Sequence, residues 1–456
     1  MLDDLLKERL NKRKLLEEGG YNVYPSSAKR THQLGGVISN FNSLARSKNK
    51  LFVVGRIMSL RKHGAISFID LKDESGNLQI FLKKDDLKDY LLFRENIDIG
   101  DFAEISGTVF KTKAGEKTIA AKTIRIITKS LRPLPSVWYG LQDVEERYRK
   151  RYLDLIFNPE IKKVLEFRSK LIQEMRSYLY DSGFLEVETP VLQPLPGGAS
   201  AKPFVTHLNA LDEDFYLRVA PELYLKRLLV GGFEKIFEIG KNFRNEGIDR
   251  EHNPEFTALE LYWTYQDYRG LMKFTESWIK SVIKKVGLKK HPLLKKWKVV
   301  TFETIFKEHA KKDYANISPE ELDETFKKIV RPQIIEPTYV IDYPEVVMPL
   351  AKLKSDNPKL TESFQLIYNK SEIIKGFSEM NDPKVQREQM MRQEDAVRTG
   401  NQEASRLDEE FLEALEYGMP TAAGLGIGID RLVAFLTNVH GIKDAMYFTL
   451  IKRKDQ

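Results

Sequence analysis

Between Leu51 and Thr128 the chain carries five short runs of alternating apolar and polar residues, a pattern that leaves few folds open to that region. The runs are Leu51–Arg56, Ile66–Asp70, Leu78–Leu82, Phe102–Phe110 and Thr118–Ile127. Turn-forming residues separate them, notably Glu74–Asn77 and Lys113–Glu116. A short helical pattern, Asp85–Phe93, follows the third run. Five strands with a helix at that place predict a small five-stranded Greek-key β-barrel of the oligonucleotide-binding type.

The chain has 456 residues, enough for two or three domains with separate cores. Residues 1–40 read as an N-terminal helical extension, 41–130 as the barrel, 131–150 as a linker stiffened by Pro133 and Pro135, and 151–456 as a larger domain. In that domain a long helix, Pro159–Ser182, precedes strands that outnumber helices up to Tyr265, and a polar helical stretch runs from Pro383 to Tyr417. The expected fold is α+β and multidomain, with an antiparallel sheet flanked by helices in the second domain. The first eighteen residues suit an amphipathic helix whose basic run, Lys7–Lys14, is either a solvated face or a contact for an RNA backbone.

A hydrophobic content of 42% with 11% aromatics is that of a globular chain. The 73 basic against 66 acidic residues give a charge of +7, which suits an RNA or phosphate ligand without requiring one. Cysteine is absent, which excludes disulfides, thiolate zinc sites and thiol catalysis and fits a reducing compartment. The first residues do not resemble a signal peptide, and no apolar stretch approaches the ~18 residues of a membrane span. A soluble, cytoplasmic protein with no membrane partner is expected.

Two segments carry the chemistry. Phe243-Arg244-Asn245-Glu246-Gly247 runs on to His252-Asn253-Pro254-Glu255-Phe256, and Gly424-Leu425-Gly426-Ile427-Gly428-Ile429-Asp430-Arg431 brings a second arginine to a helix start behind a glycine-rich strand. Two guanidinium groups, a carboxylate and an aromatic ring suit a nucleoside triphosphate, because the arginine fork grips phosphate oxygens and keeps its charge. Neither a Gly-x-x-x-x-Gly-Lys loop nor a strand-linked Gly-x-Gly-x-x-Gly is present. On Thr257–Tyr262, period-two alternation sets Glu260 and Tyr262 on one face and Leu259 and Leu261 on the other. Alternation likewise groups Lys375, Phe377 and Glu379.

At these residues the chain resembles the class II lysyl-tRNA synthetases, from the barrel through Arg431. The segment ending at Pro190 is similar to the first motif of that class, which builds a homodimer interface. Phe243–Phe256 is similar to the second motif and Gly424–Arg431 to the third. Pro196–Ala201, Ala220–Arg227 and Gly376–Glu379 are narrower and resemble the lysine enzymes in particular. The resemblance makes 151–456 a catalytic domain for adenylation and aminoacyl transfer: the carboxylate of L-lysine attacks ATP, pyrophosphate leaves, and the lysyl group passes to the 3'-end of tRNA(Lys). Arg244 and Arg431 then serve as the catalytic cations, with Glu246, His252 and Phe256 completing the ATP site. Glu222 and Glu260 face the α-amino group of lysine, and Tyr262 and Glu379 its side-chain amine. Lys375, Phe377 and Arg244 finish the lysine pocket.

Two positions depart from the family pattern. Lys375 stands where the family has an asparagine, and Gln365 replaces one of two glutamates that hold Mg²⁺, leaving Glu372 with a neutral partner. Met348 stands where a serine is usual. In the barrel, Arg61, Phe68 and Gln79 match the residues that read the anticodon in the family; Phe68 is otherwise a core position. Rival readings are an aspartate or asparagine enzyme on the same scaffold, which Glu379 opposes by charge, and an RNA-binding relative without activation chemistry.

Overall fold

The computed structural model describes residues 2–135, 141–310, 317–348, 350–398 and 406–452. The chain divides into two compact units, Met1–Gln142 and Asp143–Gln456.

In the first unit β1 (Leu51–His63), β2 (Ile66–Lys72), β3 (Asn77–Lys83), β4 (Phe102–Lys111) and β5 (Lys117–Thr128) close a barrel in the order β1-β2-β3-β5-β4. Alternation places Val53, Ile57, Ile69, Leu71, Ile80, Ile105 and Ile126 in its core. The connecting helix does not fall at Asp85–Phe93. A 3₁₀ turn takes Lys84–Asp86, and the helix spans Tyr90–Asn96 because Tyr90 and Phe93, both buried, set its phase against the barrel. Helix Leu2–Glu18 forms as expected; Lys7 and Lys14 of its basic run are exposed, while Arg9 and Lys12 are not. Arg9 is 8% exposed and donates to the carbonyl oxygens of Ser130, Ile99 and Arg132 at 2.8, 3.1 and 3.2 Å. Lys12 pairs with Asp98 at 2.8 Å, and Arg13 with Glu17 along the helix. Arg9 and Lys12 pin the helix to the barrel.

The second unit is built on an eight-stranded sheet. Its strands are β6 (Leu185–Glu186), β10 (Lys235–Phe243), β11 (Glu255–Thr264), β12 (Lys298–Thr301), β13 (Thr338–Ile341), β14 (Ser363–Tyr368), β15 (Ser371–Ser378) and β16 (Ala422–Gly428). Their order is β12-β13-β14-β15-β16-β11-β10-β6, antiparallel except at the outermost pair on each side. A small sheet, β7-β9-β8, is made by β7 (Leu192–Gln193), β8 (Phe204–Leu208) and β9 (Glu213–Leu217). Helices Pro159–Asp181, Tyr268–Lys285 and Ile429–Thr437 cover one face of the large sheet. Leu171, Trp278 and Val433 from these helices pack on Leu259, Leu261, Phe364, Leu366 and Ile427. The polar stretch read as Pro383–Tyr417 holds two helices, Pro383–Arg398 and Glu409–Glu416. No helix among the described residues is long and apolar enough to cross a membrane.

One buried knot ties the elements that frame the site. Arg168 on helix Pro159–Asp181 donates to Asp430 at 2.5 Å and to the Thr257 hydroxyl at 3.0 Å, while the Thr257 amide donates to Asp430 at 2.7 Å. Long helix, β11 and the last helix are thereby locked together. Removing one partner of such a pair typically costs 3–5 kcal/mol, because the other charge stays buried.

Candidate active site

The face of the sheet not covered by those helices opens into a cavity of about 760 Å³. Strand register lays out its chemistry. Across β14, β15, β16, β11 and β10, the residues Gln365, Lys375, Gly426, Glu260 and Glu238 stand directly opposite one another in a single row. The next row reads Ser363, Phe377, Gly424, Tyr262 and Ile236. With strands about 4.8 Å apart, Lys375 and Glu260 sit about 10 Å from each other at the backbone, with only a glycine between them. The central strand is therefore a bare floor between Lys375 on β15 and Glu260 on β11.

Gly424 shows why the floor must be bare. A Cβ there would meet the Tyr262 ring at 2.6 Å and would also strike Glu379 Oε1. Gly198, from the Pro196–Ala201 segment, has a φ of +84°, and a Cβ on it would lie 2.8 Å from that of Glu222.

The carboxylate side holds Glu222, Glu260 and Glu379, of which Glu222 and Glu379 are 7% and 1% exposed. The structure adds a residue the sequence reading passed over. Lys226, on helix Glu222–Val230, is 1% exposed, and its Nζ lies 2.6 Å from both Glu222 Oε1 and Glu379 Oε2. Burial opposes its charge, but the two carboxylates more than offset this and raise its pKa above the ordinary lysine range. The second oxygen of Glu379, Oε1, is buried without a hydrogen-bond partner. Burial pushes the Glu379 carboxyl up to about 7, against the pull of Lys226. Glu260 rises to about 8, through burial and then the neighbouring charge of Glu222. Its Oε2 accepts from the Tyr262 hydroxyl at 3.2 Å. The signal for Lys226 lay in the quoted segment Ala220–Arg227, four residues from Glu222 and so on the same helical face.

Arg244 lines the cavity immediately after β10. Its guanidinium lies 5.1 Å from the centroid of the Phe256 ring, and burial lowers its pKa. Its Nε has no hydrogen-bond partner, and among the described residues no carboxylate lies within ion-pair distance of it. Arg431, in the first turn of helix Ile429–Thr437, donates to the backbone carbonyl of Glu372 at 3.2 Å. Glu246 and His252 lie on the loop between β10 and β11, and both line the cavity. His252 is exposed and its Nδ1 contacts Asp249 at 2.9 Å. Phe256, Glu260 and Tyr262 all face the cavity from β11, while Leu259 and Leu261 are in the core.

Gln365, Glu372, Lys375 and Phe377 also line this cavity. Gln365 is 8% exposed and its Oε1 accepts from the Tyr343 hydroxyl at 2.9 Å. Glu372 stands opposite Ile367, displaced along the ladder from the Gln365–Lys375 pair by a bulge. Met348 is buried beside Phe302 and Tyr343 and reaches the cavity wall.

On the barrel, Arg61 stands opposite Phe68 in the β1–β2 register and pairs with Asp70 at 3.3 Å. Phe68 is half-buried rather than core, and its ring lies 5.3 Å from that of Phe81, which in turn lies 5.9 Å from Phe110. Gln79 accepts from the Thr118 hydroxyl at 2.9 Å, leaving its amide N–H₂ available. Phe81 and Phe110 were missed because alternation alone does not say which rings of a small barrel face outwards.

Residues 143–452 match the family model described as tRNA synthetases class II (D, K and N), and residues 51–127 match that of an OB-fold nucleic acid binding domain. Fold and matches together define a class II tRNA synthetase with an attached nucleic-acid-binding barrel. A lysine–tRNA ligase of Pelotomaculum thermopropionicum is 44% identical, covering 100% of this chain and 96% of its own length. One of Carboxydothermus hydrogenoformans is 45% identical, with 100% and 99% covered, and one of Thermosipho africanus 40% identical, with 99% and 97%. The chain belongs to the lysine–tRNA ligase family.

Proposed function

We propose that this protein activates L-lysine with ATP and transfers the lysyl group to the 3'-end of tRNA(Lys). The observation that carries the reading is the meeting, in one cavity with a glycine floor, of a cluster of three carboxylates with two arginines. Two ammonium groups of one small molecule need carboxylates, and Glu222, Glu260 and Glu379 cluster in this cavity. A triphosphate needs fixed cations, and Arg244 and Arg431 lie on the same cavity wall with Phe256 available to stack on adenine.

In this reading Glu222 and Glu260 take the α-amino group, and Tyr262 and Glu379 the side-chain amine. Arg244 and Lys375 hold the carboxylate for in-line attack on the α-phosphorus, with Phe377 closing the pocket beside them. Arg431 takes the γ-phosphate, His252 the triphosphate, and Glu246 the adenosine. No enzyme nucleophile is required, so rate enhancement comes from placement and from cations fixed where charge develops. Mg²⁺ arrives bound to ATP. Arg61, Phe68 and Gln79 read the anticodon, Phe68 by stacking on an unpaired base. Exposed apolar residues at Tyr180, Leu185, Val191, Leu192 and Val205 support pairing of two copies through this region. A cytoplasmic location follows from the role in translation.

The test is ATP–pyrophosphate exchange with each of the twenty amino acids. Exchange with lysine and no other is the expected result. Exchange with aspartate or asparagine, or with none, refutes the reading.

A further inference from the structure

The cation side of the cavity is unusual in its charges, and strand register shows how they are arranged. Gln365 stands directly opposite Lys375 across the β14–β15 ladder, and both line the cavity. A neutral amide thus occupies one of the two places where Mg²⁺ ligation was expected from the sequence, and an ammonium stands directly opposite it. The carbonyl oxygen of Gln365, its only metal-binding atom, already accepts from the buried Tyr343 hydroxyl. Glu372 is left as the carboxylate of the pair, and the carbonyl of its own backbone receives Arg431. Among the described residues no three Asp, Glu, His or Cys side chains converge where they could hold a metal ion. Mg²⁺ is a hard ion that binds through carboxylates and retained waters in near-octahedral geometry. One carboxylate and a neutral amide, beside an ammonium and a guanidinium, do not fit a Mg²⁺ held by the protein.

We propose that Lys375 replaces a protein-held divalent cation: its ammonium supplies positive charge where the attacking carboxylate meets the phosphates, and the only Mg²⁺ in the reaction enters on ATP. The inference rests on the ligase reading above and concerns the same site. Position favours it, since Lys375 shares a row with Glu260 about two strand spacings away and lines the same cavity as Arg244 and Arg431. Chemistry favours it too. A fixed ammonium needs no dehydration and brings no coordination demand, whereas a second Mg²⁺ would have to sit beside it. At ~4 Å and an effective dielectric of 20, two like unit charges repel strongly, and a divalent ion doubles that effect.

The experiment counts metal rather than turnover. The full-length protein is loaded with L-lysine and α,β-methylene-ATP, and Mn²⁺ bound per nucleotide is measured by electron paramagnetic resonance. One Mn²⁺ per bound nucleotide is expected; two or more overturn the proposal. The double variant Gln365→Glu/Lys375→Asn should gain a Mn²⁺, and no gain also counts against it. Exchange by the native protein should saturate once Mg²⁺ equals ATP and pyrophosphate together, and the Lys375→Asn variant should fall by about a hundredfold without recovery in excess Mg²⁺. Recovery would overturn the proposal, because a free ion would then be doing the work of the ammonium. Two Mn²⁺ with intact lysine exchange would sink this inference alone. Failure to bind nucleotide would sink the ligase reading and this inference with it.

Discussion

Replacing Lys226 by methionine isolates what its ammonium does, since the two side chains are of similar length and Met adapts to irregular packing. The change removes a cation 2.6 Å from both Glu222 and Glu379 in a place closed to solvent. A unit pair near 4 Å at an effective dielectric of 20 is worth about 4 kcal/mol, or about three pH units at 1.36 kcal/mol each. Glu379 already sits at about 7 with Lys226 beside it. Without that cation its carboxyl stays protonated through neutrality, facing Glu260 and Tyr262 of β11 and Glu222 of helix Glu222–Val230. Holding an ammonium at the free Oε1 then requires expelling a proton, so the KM for lysine should rise by about 10² to 10³ at pH 7. The sign follows directly: raising the pH restores the carboxylate, and the variant's KM should fall close to tenfold per pH unit between 7 and 8.5. The KM for ATP should stay within about threefold, and Lys226→Arg should recover much of the loss. The assay is pyrophosphate exchange at saturating ATP across pH. A lysine KM that rises without pH dependence, or in step with that for ATP, refutes the reasoning and leaves Lys226 as packing.

In the native protein, lysine should bind more tightly as pH rises from 6 to 8.5, because Glu379 at about 7 and Glu260 at about 8 must both ionise to receive ammonium groups. Calorimetry at pH 7.5 in phosphate and in Tris should therefore show proton release, and proton uptake would contradict the assignment. Both carboxyls sit above their unfolded values, so the folded chain holds extra protons and ligand-free stability should decline as pH rises from about 5 to 8.5, with lysine restoring it; thermal melts check this. Gly424→Ala should raise the KM for lysine at least tenfold and cost about 1–3 kcal/mol of stability, since the new Cβ has nowhere to go between Tyr262 and Glu379. Phe68→Ala should weaken tRNA by about 1–3 kcal/mol, read as a tenfold to hundredfold higher KM in aminoacylation and compared with pyrophosphate exchange, which uses no tRNA.

What the sequence made legible was whatever a short period can carry. Alternation marked the barrel strands, the face of β11 that bears Glu260 and Tyr262, and the face of β15 that bears Lys375 and Glu379. What it could not carry was register between strands far apart in the chain. Gln365 and Lys375 are ten positions apart and were seen as two separate oddities; only the β14–β15 ladder makes them opposite partners. Lys226 was hidden for a related reason, because its role depends on Glu379, brought to it from 153 residues away. Asp430 lay inside a motif chosen for its arginine, yet it is the residue that holds Arg168 and the Thr257 amide. Burial decides all three cases. A charged side chain written in a sequence looks free until the fold removes water from it, and then its partners fix its purpose. The same logic separates Arg244 from the buried arginines around it. Arg168 and Arg218 are consumed by Asp430 and Glu238, while Arg244 is desolvated beside Phe256 without a described carboxylate in reach. That this guanidinium, unlike those two, has no ion-pair partner among the described residues is what supports its proposed role of holding an anion from outside.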